Sequence, residues 1–520
     1  MDLGDHVAPA LFGAGATRES EGMRPPAPSE ARPVPGRAAF LEAYPDYLRT
    51  VRLDELRAEE YGYLDEGDHV YLDHAGAGLP ARAQVRAHAA RLSGGCFGHP
   101  HSTGPASLAS SELVRRTRSA VLAHFNADPQ EYAAIFTANA TGACRLVGEA
   151  YPFGTGRRFV HLRDNHTCVT GIRDFARARG AAVDAVGLTD LELRGDEPGL
   201  AAALRRHGGR TGRLRPRRDG ERGAGLFGYP AQSNFTGVQH PLDWIDLAHE
   251  HGFDVLLDAA AYAPANPVDL SETKPDFMPV SWYKLLGYPT GLGCLVARRD
   301  ALARLRRPWS SGGAVPASGA RGEWRGTAAE ESAFEDGTPN FLSVPDVEAG
   351  LRRLSGIGLG TVNTRVRCLT GWLIDRLTTA RHSTGMPLVR LYGPAGTEAR
   401  GGTVAFNFLD PAGAVVDEQV VARDAAAHRI SLRTGRFCNP GAGEAASNLD
   451  RAALPAPDPR TADALGCVPG RADPPTGGAV RVSLGPVSNL ADVSRFVEFA
   501  VDTYLDRFPS AHDRSPRIRC

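Results

Sequence analysis

A chain of 520 residues with 59 basic and 60 acidic side chains, formal net charge -1, exceeds one typical domain and has no basic excess of the kind a nucleic-acid footprint needs. No apolar run approaches the roughly 18 residues of a membrane span, and the opening MDLGDHVAPALFGAGATRES lacks the basic-then-apolar order of a signal peptide. Eight cysteines, at 96, 144, 168, 294, 368, 438, 467 and 520, include no CxxC pair; this argues against a disulfide scaffold and a structural zinc site, so no metal is expected and a reducing, cytoplasmic setting is the default.

Residues 1–36, rich in Pro, Gly, Ala and Glu, read as a disordered tail. Phe40, Leu41, Tyr44, Tyr47 and Leu48 predict a helix over 38–60, and a short strand at 70–72 ends in Asp73-His74-Ala75-Gly76. Leu113, Val114, Val121, Leu122 and Phe125 mark one side of an amphipathic helix over 108–126. Strands then alternate with helical stretches. They fall at 132–136, 158–162, from 182, and at 225–228, 254–257, 277–280 and 293–297, with a turn at Asn139 opening a helix through Leu146. This alternation predicts an α/β domain with a mostly parallel seven-stranded sheet.

The arginine-dense interval 203–223 reads as a solvated insert, with an anion-binding or partner-docking patch as the alternative. Beyond residue 345 the pattern changes. A long helix over 346–380, a half-buried strand at 404–408, short strands at 429–433 and 479–484 and a closing helix at 490–507 make a smaller α+β unit, with a surface excursion at 451–478. The expected division is a tail at 1–36, a large domain at 85–345, and a small domain from 37–84 and 346–520.

Ligands of parallel sheets sit at the carboxyl ends of the strands. Four such ends stand out. Thr137-Ala-Asn-Ala-Thr-Gly142 leads into a helix, where free backbone N–H groups can hold a phosphate. Asp164-Asn-His166 follows the second strand, and Asp258 closes Val-Leu-Leu-Asp, where a buried carboxylate needs a partner. Lys284, set between aromatics in Ser281-Trp-Tyr-Lys and followed by a Gly/Pro-rich turn, lies 26 residues after Asp258, so one βα excursion returns both to the same sheet edge. A lysine can carry an aldehyde cofactor as a Schiff base, an aspartate keeps a pyridine nitrogen protonated, a flat histidine covers the ring and a helix end binds the phosphate. Together these residue types point to a pyridoxal 5'-phosphate (PLP) site.

Seven segments occur in one family's order: Leu72-Asp-His-Ala-Gly-Ala77, Asp164-Asn-His-Thr167, Tyr229-Pro-Ala-Gln-Ser-Asn-Phe235, Leu257-Asp-Ala-Ala260, Tyr283-Lys284 through Gly-Leu-Gly293, Phe334-Glu-Asp-Gly-Thr338 and Arg433-Thr-Gly-Arg-Phe-Cys438. Over roughly 65–490 the chain resembles the fold-type I PLP enzymes of the aminotransferase class V group. Within it the likeness is greatest to the cysteine-desulfurase-like N-terminal domain of molybdenum cofactor sulfurases. The resemblance implies that Lys284 is the Schiff-base lysine, Asp258 the partner of the pyridine nitrogen and His166 the residue stacked on the ring. It implies phosphate ligands at Ala140, Thr141, Ser281 and Tyr283, and Thr338 reaching across a homodimer interface. Arg481 falls where relatives clamp a substrate carboxylate, a task suited to its fork, and Arg433 joins it as a substrate-binding candidate. Many cysteine desulfurases carry a glutamine three residues after the aspartate; here that position is Ala261, so the cofactor's phenolic oxygen needs another donor, for which Asn234 and Gln232 are the candidates.

Cys438 lies in a glycine-rich loop beside Arg433 and Arg436, where a thiolate is stabilised and exposed, and the resemblance makes it the sulfur acceptor. The implied reaction takes sulfur from L-cysteine. Lys284 removes the α-proton, Cys438 attacks the substrate sulfur, His166 helps with proton transfer, and alanine and a Cys438 persulfide result. The resembled sulfurases carry a further cofactor-binding domain for which this chain has no length left. The sulfur is therefore expected to pass to a separate acceptor protein or into a biosynthetic pathway. The alternatives are a PLP-dependent C–S lyase acting on a cysteine conjugate, and a non-catalytic scaffold.

Overall fold

Short runs rich in Val, Leu, Phe and Tyr, each closed by turn residues, cannot pay for their backbone polar groups singly and pair into a sheet. In a computed structural model, residues 36–508 are described except 101, 190–191, 207–222, 310–316, 319–324, 327–330 and 448–477. All seven expected strands form one sheet: β1 (Tyr132–Thr137), β2 (Arg158–Leu162), β3 (Ala182–Val186), β4 (Gly225–Pro230), β5 (Phe253–Asp258), β6 (Phe277–Ser281) and β7 (Gly293–Arg298). Their order is β1-β7-β6-β5-β4-β2-β3. β2 to β6 run parallel, and β7 is antiparallel to both its neighbours. Every residue of β4 and β5 is buried, as expected for strands covered on both faces.

The register fixes the site. Gly293, at the start of β7, pairs with Thr137 and with Ser281, the last residues of β1 and β6, while Pro230 of β4 pairs with Asp258 of β5. The segments after β1, β2, β4, β5 and β6 therefore leave from one edge.

A second sheet is antiparallel, with β8 (Val389–Tyr392), β9 (Thr403–Phe408), β10 (Arg433–Gly435) and β11 (Ala479–Ser483) in the order β8-β9-β11-β10. The expected half-buried strand at 404–408 is instead buried at every position. Val404, Phe406 and Phe408 face a core shared with the helices Leu359–Thr379 and Leu490–Tyr504, while Ala405 packs in a cluster with Phe235 and Phe437. Both faces are covered, so the alternation marks two apolar surfaces.

Two long helices expected from periodicity are broken. The 38–60 stretch is Arg37–Ala43, a 3-10 turn Pro45–Thr50 and Arg52–Tyr61, because Pro45 cannot donate within a continuing helix. The 346–380 stretch is Val344–Ile357 and Leu359–Thr379, separated by Gly358 in the left-handed region (φ 84°). Of the arginine-dense interval, residues 203–205 end the helix Glu197–Arg205 and the rest lies almost wholly outside the described residues, as do the 1–36 tail and the 451–478 excursion.

Candidate functional site

Lys284 stands on the single helical turn Trp282–Leu286 that follows β6 directly. Fully buried Trp282 anchors the turn, and Gly78 donates its N–H to the Tyr283 carbonyl at 3.0 Å. The turn ends at Gly287 (φ 77°), where a Cβ would lie 2.0 Å from the Leu79 carbonyl oxygen, so no other residue fits this packing. Lys284 lines a cavity with His74, Gln232, Ala260, Ala261 and Ser483.

Asp258, at the end of β5, is buried and accepts the Ala260 N–H at 3.0 Å. Among the described residues none forms an ion pair with it. A buried carboxylate without a cation is unstable unless a protonated group arrives to meet it. His166 stands at the start of the one-turn helix Thr167–Thr170, its Nδ1 lying 3.2 Å from the Cys168 backbone nitrogen, from which it accepts when neutral, and 3.1 Å from Cys168 Sγ, to which it donates when protonated. Burial alone would lower the His166 pKa. The hydrogen bond and charge of Cys168, together with the Asp258 carboxylate, overcome burial and the opposing charge of Lys284, and raise it. His166, Asp258 and Lys284 are thus close enough to act on one another.

At the end of β1, Asn139 caps the helix Ala140–Ala150 by accepting the Gly142 N–H at 2.8 Å, leaving a first turn with half-buried Ala140 and exposed Thr141. Gly293 permits the close approach of β7 to this turn, since a Cβ there would lie 2.4 Å from the Asn139 carbonyl carbon. Buried Ser281 and half-buried Tyr283 flank the same edge. Thr338 lies farther along the chain, its hydroxyl 2.7 Å from His99 Nε2.

The second sheet brings Cys438 to this edge. It follows β10, is exposed, and sits in the left-handed region (φ 52°) next to Phe437 (φ 54°). The loop is fixed on both sides. Asn234 Nδ2 donates to the Phe437 carbonyl at 2.7 Å, the Thr167 N–H donates to the Cys438 carbonyl at 2.8 Å, and Asn439 Nδ2 donates to Asp164 at 2.6 Å and to Asn234 Oδ1 at 3.0 Å. Asp164, wholly buried, also accepts from Ser233 Oγ at 2.8 Å and is paired with His240 Nε2 at 3.0 Å. One carboxylate thereby ties the His166 segment to the Cys438 segment.

Asn234 is thus occupied by the Cys438 loop, whereas Gln232, with Oε1 accepting from Gln239, borders the Lys284 cavity. Arg481 is buried and closed by its own chain: Nη2 meets Asp73 Oδ1 at 2.9 Å, Nη1 meets the Asn234 carbonyl at 2.9 Å, and the guanidinium lies 4.6 Å from the Phe437 ring centroid. Arg433, half-exposed, holds the other oxygen of Asp73 at 2.7 Å. Sequence reasoning missed Asp73, Asp164 and Asn439. Asp73 and Asp164 lie inside segments it singled out, and their partners become visible only in three dimensions.

The profile of the family described as Aminotransferase class-V matches residues 222–496. Molybdenum cofactor sulfurase of Arabidopsis thaliana is 33% identical over 511 residues, covering 90% of this chain and 60% of that protein. That of Homo sapiens is 34% identical over 484 residues, covering 87% and 51%. The chain therefore spans between about half and three-fifths of the length of these relatives. Among solved structures, the apo cysteine desulfurase of Thermococcus onnurineus NA1 aligns with a TM-score of 0.69 at 21% identity, covering 85% of this chain and 96% of that one. The cystine C-S lyase C-DES, in complex with cysteine persulfide, aligns with a TM-score of 0.61 at 19% identity, covering 84% and 98%. These two likenesses are of fold.

Proposed function

The chain belongs to the aminotransferase class-V family, and on that premise we propose that it is a PLP-dependent cysteine desulfurase that moves sulfur from L-cysteine to Cys438 and then to an acceptor. The observation that carries this reading is the fixed Cys438 loop, docked through Thr167 and Asn234 onto the sheet edge that holds Lys284, Asp258 and His166. The residues fit the cofactor: Asp258 is a buried carboxylate with no cation paired to it among the described residues, and the helix start at Ala140 and exposed Thr141 suits a phosphate. Bound PLP would supply an aldehyde for amines and a ring that withdraws electrons from the substrate α-carbon.

In this reading Lys284 holds the cofactor and afterwards takes the α-proton. Asp258 would meet the ring nitrogen and keep it protonated, and His166 would face the ring. Ser281, Tyr283, Ala140 and Thr141 hold the phosphate, and Gln232 is favoured over Asn234 as donor to the phenolic oxygen. Arg481 and Arg433 receive the substrate carboxylate in place of Asp73, with which they are now paired. The Cys438 thiolate attacks the substrate sulfur; the new S–S bond forms as C–S breaks, and the carbon skeleton, protonated, leaves as alanine.

The same reading makes the enzyme a cytoplasmic homodimer, with Thr338 completing the partner's phosphate site, and gives it a separate sulfur-acceptor protein. Its large domain runs over 85–345 and its small domain over 37–84 with 346–520. The core that joins Phe40, Val70 and Leu72 to Val366, Leu369 and Val480 supports this division. Val347 and Leu351, however, pack in a cluster with Phe136 and Val296 of the large sheet, so we move the second boundary of this division from 345 to Gly358.

Product analysis tests the proposal. Wild type incubated with L-cysteine should yield alanine and an alkylatable persulfide on Cys438. Cys438→Ala should keep its cofactor and lose alanine formation by about 100-fold or more, since the nucleophile is gone. Pyruvate from wild type, with Cys438→Ala fully active, would instead establish the C–S lyase.

A further inference from the structure

Two cysteines that the proposed reaction does not use meet beneath His166. Cys144 lies on the helix Ala140–Ala150 and is fully buried, whereas Cys168, on the one-turn helix Thr167–Thr170, is partly accessible. Their sulfur atoms are 3.7 Å apart, and Cys168 Sγ is 3.1 Å from His166 Nδ1. We propose that Cys144 and Cys168 are a modification site, an oxidisable dithiol that a hydroperoxide converts to a disulfide beside the ring-facing histidine.

The two sulfurs have different roles. The hydrogen bond from Cys144, then that from His166, holds the Cys168 thiol in its ionised form against burial, and the same contact with burial pushes Cys144 up. Cys168 is therefore the nucleophile and Cys144 the resolving thiol. The Cys168 thiolate attacks the O–O bond of the hydroperoxide. The O–O bond breaks, one oxygen stays on sulfur as a sulfenic acid, the other takes a proton from solvent and leaves as an alcohol or water, and the sulfur has lost two electrons to oxygen. Cys144 then gives up its proton and attacks Cys168 Sγ. The S–S bond forms, the S–O bond breaks and water leaves. Bonding requires the sulfurs to close from 3.7 Å to about 2.05 Å. The disulfide removes the thiolate from His166 Nδ1, so the residue beneath the proposed cofactor loses the partner that holds its proton.

The purified full chain is treated with hydrogen peroxide, its free thiols are alkylated, and the unreduced digest is mapped by mass spectrometry. A peptide pair joined through Cys144 and Cys168, lost on dithiothreitol treatment, is expected. In Cys144→Ser the link should be absent and Cys168 should gain one and then two oxygens, the first form trapped by dimedone. The inference is overturned if both cysteines are fully alkylated under conditions that oxidise Cys438, or if Cys168 links to Cys438 instead. The wild-type map decides even if the variant fails to fold. It reads thiols alone, so the outcome is separate from that of the desulfurase reading.

Discussion

Cys438 carries a side chain where the backbone favours glycine, with φ 52° following φ 54° at Phe437. A non-glycine residue there costs about 1–2 kcal/mol, and the hydrogen bonds around it keep the conformation. Cys438→Gly should therefore unfold at higher denaturant than Cys438→Ala, by about 1 kcal/mol, with both unable to form alanine; equal midpoints would show the loop is unstrained. His74 presents a different residue-scale cost. Burial, opposed by Asp73, lowers its pKa from 6.5 to about 4, and its Nε2 is buried with no hydrogen-bond partner among the described residues. The unfolded chain thus binds a proton near pH 6.5 that the folded chain refuses until about 4. Stability contributed by neutral His74 is whole above that window and falls as pH drops through it, by about 3 kcal/mol in all. His74→Asn should flatten the decline in urea stability across this window; an unchanged slope would place the acid sensitivity elsewhere.

The helix Pro440–Ala446 begins at Asn439, whose Oδ1 accepts the Ala442 N–H at 3.2 Å while its Nδ2 reaches Asp164. Removing the side chain forfeits a cap worth about 1 kcal/mol and a charge-assisted hydrogen bond worth about 1.5–3. Asn439→Ala is therefore expected to lose about 2.5–4 kcal/mol, to keep its cofactor absorbance, and to lose alanine formation, while Cys438 alkylates faster in the loosened loop. Unchanged alkylation would mean that Phe437 and Thr167 hold the loop alone. The seven strands were legible because each is a short apolar run closed by turn residues, and Lys284, Asp258 and His166 were legible as polar residues after such runs. The two helix breaks were not, since Pro45 and Gly358 sit in periodic stretches that continue on both sides. Nor were the buried carboxylates: Asp164 meets Asn439 across 275 positions and Asp73 meets Arg481 across 408, separations at which local pattern says nothing about pairing. The tie between His166 and Cys438 therefore needed the fold.

At the scale of the whole molecule, four of the nine large apolar side chains among the described residues that are more than a third exposed, Val85, Leu92, Leu108 and Leu342, belong to neighbouring segments. Arg91 donates to the Leu342 carbonyl at 2.7 Å, and His99 bonds Thr338 and lies against the start of the helix Pro105–His124 through Ser107. Exposed apolar groups on adjoining segments suit an association surface, and a closed dimer covers such a surface with its own copy. Thr338 stands on this face, so the proposed composite phosphate site and the apolar surface require the same partner. A charge placed there would be repeated on both subunits and desolvated twice, which opposes association by several kcal/mol. Leu92→Glu together with Leu342→Glu should therefore sediment as a monomer with an unchanged far-UV spectrum, and its affinity for PLP should fall by about 10-fold or more as the partner's Thr338 is withdrawn. Thr338→Ala should remain dimeric and share the loss of affinity. If the charged variant is monomeric yet binds PLP as wild type does, each subunit carries a complete phosphate site and Thr338 has no role across the interface.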